Sequence, residues 1–215
     1  MVQFKVLFAI VLALKIVGFQ NHILAQTNQN RKQIIVIDPG HGGTDSGAVG
    51  INGIQEKDVV LKIAKQIVVL NNSVFMNQHE IYLTRNKDTL ISLGDRTKLA
   101  KALQADIFIS LHCNHSDNPN VRGLEVYASK KQGKYSRKSI LLAYELQKEL
   151  KENLGFESRG VKFGDFQVLR ETTNLCPTVL LEMGFLSQMA EVIYLSNEKS
   201  QYSVSLVILQ STLIY

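Results

Sequence analysis

The 215 residues suffice for one domain with a sizeable core and leave little room for a second. With 45% hydrophobic and 20% charged residues, the composition is that of a globular chain and excludes both a disordered polymer and a multi-span membrane protein. The formal charge of +5 comes without a dense Lys/Arg tract and without any Trp, so nucleic acid is not an expected partner.

Residues 1–25 differ from the rest of the chain. Lys5 precedes an apolar run at 6–14, Lys15 interrupts it, 16–19 resume it, and Ile23-Leu24-Ala25 stands before Gln26 like a cleavage site. This reads as a secretory signal peptide. An uncleaved anchor is the competing account, but a span needs about 20 consecutive apolar residues, and Lys15 with Gln20-Asn21-His22 shortens this run. The expectation is cleavage after Ala25, export to the periplasm or cell envelope, and no stable membrane span after processing. No Cys in this segment could carry a lipid anchor. Loss of the leader removes two lysines and no acid, taking the formal charge from +5 to +3. So mild a surplus suits an anionic polymer and suits an indifferent solvated surface equally. Cys113 and Cys176 could form one disulfide or remain as two buried thiols.

Residues 26–33 are polar and read as a flexible lead-in to a folded domain at 34–215. Ile34-Ile35-Val36-Ile37-Asp38 is a β-branched run stopped by Pro39-Gly40, the pattern of a buried strand ending in a turn. After a glycine-rich stretch, Val59, Val60, Ile63, Ala64 and Ile67 fall at helical spacing within 56–70. A strand at 80–84, a helix at 95–104 and a strongly apolar strand at 106–112 repeat the alternation. A shorter strand at 123–127 precedes a helix at 137–154 that Gly155 closes. Strands at 166–169 and 178–182 come next, then a helix at 198–214 with Val204, Val207, Ile208 and Ser211 on one face. The alternation predicts a single-domain α/β fold, a largely parallel or mixed twisted sheet covered by helices on both faces.

In open α/β sheets, sites form beyond the carboxyl ends of the strands. His41 lies just past the first strand, His112 ends the strand 106–112, and Glu182 ends the strand 178–182. Glu56 reaches the same rim from the start of a helix. Two imidazoles and a carboxylate are a common ligand set for catalytic zinc, which leaves Glu182 free as the acid–base group that amide hydrolysis requires. Each residue also has a purely structural account. A strand-end His is commonly just hydrogen-bonded, which is the account preferred for His79 and His115, and Glu56 could be a helix-start acid favoured by the dipole. Glu182 resists such an account, because it interrupts Val179-Leu180-Leu181 and Met183-Gly184-Phe185, where an unpaired buried charge costs several kcal/mol. There is no HExxH motif, and the four residues are widely scattered.

Ile35-Val36-Ile37-Asp38-Pro39-Gly40-His41-Gly42-Gly43, followed by Asn52-Gly53-Ile54-Gln55-Glu56-Lys57-Asp58, resembles the opening signature of the zinc-dependent N-acetylmuramoyl-L-alanine amidase family that includes the cell-separation amidases. Further similar segments occur in order: Leu83-Thr84-Arg85 with Asp88, 93–96, 105–114 ending in Leu111-His112-Cys113-Asn114, Arg122-Gly123-Leu124-Glu125, Arg159-Gly160-Val161-Lys162, Val168-Leu169-Arg170 and 177–187. The resemblance spans about residues 34–195.

The resemblance implies that His41, Glu56 and His112 hold one zinc ion and that Glu182 is the catalytic carboxylate. It further implies that the substrate is peptidoglycan, cut between the lactyl group of N-acetylmuramic acid and the L-alanine of the stem peptide. A zinc peptidase acting within the stem and a non-catalytic wall-binding or activator protein are the other readings. Residues 127–140 lack an apolar helical stripe, so no built-in helix blocking the zinc is expected. No appended wall-binding domain is visible, which leaves targeting to the cleft or to a protein activator, and the chain reads as a monomer. Cys113 should point away from His112 across the strand. Asn114 returns to the His112 side, as an orienting or substrate-contacting group or as a turn former. Arg85, Arg96 and Arg122 could meet stem-peptide carboxylates or make structural ion pairs.

Overall fold

A computed structural model describes residues 31–213, so the expected leader and residues 26–30 of the lead-in lie outside the described residues. Among the described residues twelve elements occur in order: β1 (Gln33–Pro39), α1 (Glu56–Ser73), β2 (His79–Leu83), α2 (Leu93–Ala102), β3 (Ile107–Asn114), β4 (Leu124–Ser129), α3 (Ser136–Leu154), β5 (Ser158–Gly164), α4 (Gln167–Thr172), β6 (Thr178–Phe185), α5 (Met189–Ser196) and α6 (Glu198–Thr212). The strands form one sheet in the order β2-β1-β3-β6-β4-β5. Only the β4–β6 pair is antiparallel. This is the mixed, mainly parallel α/β sheet expected from the alternation. Among the described residues no helix is long and apolar enough to cross a membrane.

Side-chain alternation along the strands sorts two layers. Ile35 and Ile37 of β1 and Ile107, Ile109 and Leu111 of β3 face a core completed by Val59 and Ile63 of α1, Leu142 and Leu146 of α3, and Val204 and Ile208 of α6. Each such side chain, fully withdrawn from water, contributes about 1.5–3 kcal/mol. The residues out of phase with them, Val36, Phe108 and Leu180, meet Ala100 of α2 and Val168 and Leu169 of α4. These two helices have only 10 and 6 residues. Further along the strands in the same phase come Asp38, Ser110, His112 and Glu182, which line an open cleft of about 1010 Å³.

Three elements differ from expectation. Residues 166–169 are not a strand: Val168, Leu169 and Thr172 are buried at helical spacing in α4. The strand of this region is β5, an edge strand with no fully buried residue, so it lacks the apolar run that would have announced it. The short helix α5 buries only Val192 and Leu195, and Gln188 caps it by accepting from the Glu191 N–H. The helix expected at 137–154 ends as expected, with Gly155 left-handed at φ 73°. Residues 130–135, between β4 and α3, contain no helix.

Candidate metal and catalytic site

Beyond β1 the chain bends sharply. The Gly40 N–H donates to Leu111 O of β3 at 3.0 Å, and His41 adopts a left-handed backbone with φ 57°, which costs a non-glycine residue roughly 1–2 kcal/mol. The turn swings the imidazole back over the strand ends. Its Nε2 lies 3.1 Å from Glu56 Oε1, and His112 Nδ1 lies 2.9 Å from the same oxygen. The two rings meet edge to face at 5.0 Å. One ligand atom from each of His41, Glu56 and His112 falls within 4.8 Å of the others, an arrangement able to hold a metal ion.

Glu56 is the first residue of α1 and is buried. Backbone groups fix its carboxylate: the Ala48 N–H donates to Oε2 at 2.8 Å and the Cys113 N–H to Oε1 at 3.0 Å. Burial alone would raise its pKa, but hydrogen bonds and charge from His112 and His41 outweigh that and bring it to about 2. Burial likewise acts to lower the His41 pKa, and Glu56 and Asp45 overcome it, raising it to about 9. Asp45 Oδ2 lies 2.8 Å from His41 Nδ1, an acceptor for the Nδ1 proton that would leave Nε2 as the ligand nitrogen once a metal ion displaces its proton. Gly47, at φ +62°, lets the loop pass close by; a Cβ there would overlap Glu56 Oε2 and sit 2.7 Å from His41 Cδ2.

Glu182 stands in register with His112 on one side and Glu125 on the other. It is half-buried in the cleft wall, and its Oε2 is fully covered with no hydrogen-bond partner. Burial raises its pKa to about 7, the negative charges of Glu56 and Glu125 adding to the effect and His112 and His41 opposing it. Glu125 is itself buried and accepts from Lys162 Nζ at 2.5 Å, Arg159 Nε at 2.6 Å and Tyr127 OH at 2.6 Å.

The structure therefore brings His41, Glu56, His112 and Glu182 to one cleft. Asn114 lines it too, with Nδ2 3.5 Å from Glu125 Oε2. His115 lies on the cleft, while His79 is buried elsewhere, its Nε2 3.4 Å from Thr212 Oγ1. Cys113 turns into the opposite core, and both cysteines are free thiols. Arg85 and Arg96 are buried, their guanidinium groups bonded to backbone carbonyls and, for Arg96, to Asp38. Arg122 pairs with Glu157 at the surface. Sequence reasoning missed Asp45 and Glu125. The signals that could have found them were an acid four residues after His41 and a lone Glu between Leu124 and Val126.

A family model described as N-acetylmuramoyl-L-alanine amidase matches residues 35–211. The chain is 38% identical over 159 residues to the N-acetylmuramoyl-L-alanine amidase LytC of Bacillus subtilis, covering 74% of this chain and 30% of LytC. It is 38% identical over 136 residues to the N-acetylmuramoyl-L-alanine amidase AmiA of Escherichia coli, covering 62% of this chain and 43% of AmiA. The chain thus spans less than half the length of either relative. The solved catalytic domain of CwlV, an N-acetylmuramoyl-L-alanine amidase from Paenibacillus polymyxa, superposes with a TM-score of 0.75 at 34% identity, covering 85% of this chain and 97% of that domain. With the family model covering most of the chain, this protein belongs to the N-acetylmuramoyl-L-alanine amidase family.

Proposed function

We propose that the chain is an exported zinc amidase that hydrolyses the amide between the lactyl group of N-acetylmuramic acid and the L-alanine of the peptidoglycan stem, outside the cytoplasm. One observation carries the reading: three converging ligand atoms share a cleft with a carboxylate oxygen that is buried and has no partner. The donor set fits zinc, which accepts imidazole nitrogen and carboxylate oxygen. His41 would present Nε2, held by Asp45 at Nδ1, His112 would present Nδ1, and Glu56 would present Oε1, held by the Cys113 N–H. Zinc bound there supplies Lewis acidity to the scissile carbonyl and the attacking water.

Glu182 performs the proton transfers. A carboxyl group with a pKa near 7 is about evenly shared between its acid and base forms at neutral pH. Its carboxylate takes the proton of the attacking water and returns it to the alanine nitrogen as the C–N bond breaks. That Oε2 is covered and takes no protein hydrogen bond fits the role, since nothing in the protein fixes the carboxylate in its charged form.

The test is digestion of purified peptidoglycan by the chain from Gln26 onward, with mass analysis of the products, beside Glu182→Gln and a chelator-treated sample. The expected products are intact stem peptides with a free L-alanine amine, absent from both controls. Cuts inside the stem would establish a peptidase instead, and metal binding without cleavage would establish a binding protein.

A further inference from the structure

Arg85 is 3% exposed, yet it has no ion-pair partner among the described residues. A buried cation ordinarily requires an anion or a full set of acceptors. Arg85 takes acceptors, and all are backbone. Its Nε donates to Pro39 O at 3.1 Å, its Nη2 donates to both Gly40 O at 2.7 Å and Lys57 O at 2.8 Å, and its Nη1 reaches Lys87 O at 3.4 Å. Gly40 is the residue before His41, and Lys57 is the residue after Glu56. A single nitrogen thus bridges the main chains that carry two of the three ligand residues.

Arg96 completes the arrangement from the other side. Its Nη1 donates to Pro39 O at 2.7 Å and its Nη2 to His41 O at 2.8 Å, while Asp38 anchors it. Three consecutive carbonyls, Pro39, Gly40 and His41, therefore point at guanidinium groups, and His41 is kept in its left-handed conformation by contacts outside its own side chain. The rigid fork of donors in arginine can span two separate chain segments in this way; the single ammonium of lysine, on a flexible stem, cannot hold them at a fixed separation.

We infer that Arg85 is a positioning residue for the metal site: it sets the distance between the His41 and Glu56 backbones and thereby the affinity of the ligand set. This rests on the reading that His41, Glu56 and His112 bind zinc. A residue of merely structural value would lower stability when replaced and leave metal affinity in the folded protein unchanged. A positioning residue moves the affinity and the ligand field.

The experiment uses the metal-stripped chain with Arg85→Lys, Arg85→Gln and, as a surface control, Arg122→Lys. Cobalt(II) is titrated while its visible bands are recorded, zinc affinity is obtained by competition, and cooperative unfolding is checked by circular dichroism. The expected result is a 10–100-fold loss of affinity and altered cobalt bands in both Arg85 variants, with Arg122→Lys matching the parent. Folded Arg85 variants whose affinity stays within about twofold of the parent, with unaltered bands, overturn the inference. So does failure of both variants to fold, which makes Arg85 a stability element. A parent chain that binds neither cobalt nor zinc overturns the metal reading itself, and this inference with it.

Discussion

His79 lies among the side chains that face α1 and α6, and His41 lies on the cleft side of the same sheet. The first is buried with Nδ1 unbonded, and burial lowers its pKa, so the ring is kept neutral. The second is also pushed down by burial, yet Glu56 and Asp45 reverse the shift and raise it to about 9. The same side chain is a space-filling group on one face and a polarised donor on the other. Neighbouring carboxylates, and not burial, make the difference. The contrast recurs within β3, where Cys113 joins the helix-covered core while His112, one residue earlier, joins the cleft. Three long helices seal one layer, whereas the 10 and 6 residues of α2 and α4 leave strand ends open on the other.

The largest effects should separate these faces cleanly. Glu182→Gln is expected to lower kcat on a soluble muramoyl peptide by about 10²–10⁴-fold, the usual worth of a general acid–base group. Its denaturant midpoint should match or exceed that of the parent, since Oε2 has no hydrogen bond to lose. A parallel loss of stability would show Glu182 to be structural. On the helix-covered face, Ile63 is fully buried, and Ile63→Ala should cost about 2–5 kcal/mol of unfolding free energy. Activity per folded molecule should be retained, as measured well below the unfolding midpoint. An equal fall in kcat there would mean the two layers are not independent.

Much of the cleft was legible because its chemistry sits where chain pattern is sharpest. His112 and Glu182 end apolar strand runs, His41 comes directly after Pro39-Gly40, and Glu56 opens an amphipathic helix. Asp45 and Glu125 were harder to find, because an acid in a glycine-rich loop and an acid in a short strand look like ordinary solvated residues until their partners are known. The buried state of Arg85 and Arg96 is invisible for a related reason: apart from Asp38, which pairs with Arg96, their acceptors are backbone carbonyls, which carry no side-chain signature. In the fold, the β5 edge strand and the short helix α5 bury too little to impose a periodicity. Val168-Leu169, by contrast, suits strand and helix equally as a short apolar pair.

Gly47 offers a smaller and more local break in the comparison. A methyl group there overlaps Glu56 Oε2, and the residue sits at φ +62°. Gly47→Ala should therefore weaken zinc binding by about tenfold or more while leaving the helix-covered core intact, a result readable by zinc competition beside thermal unfolding. Unchanged affinity would mean that the loop can move aside without disturbing the ligand.

The smallest effect concerns His79 and runs in the direction its burial dictates. Its folded pKa lies below the ordinary 6.5, so the unfolded chain binds a proton more readily as pH falls through that value. The contribution to stability is thus intact above about pH 6.5 and is lost progressively as the pH drops from there toward the folded pKa. His41, raised instead, contributes in the opposite sense, so the parent chain alone shows only the sum. Unfolding free energies of the parent and His79→Gln, measured from about pH 7.5 down to about pH 5.5, isolate the His79 contribution by difference. The parent should lose stability relative to the variant across this interval, and a constant difference would mean that His79 binds its proton equally well folded and unfolded, leaving no energetic distinction between the histidine of the sealed face and a solvated one.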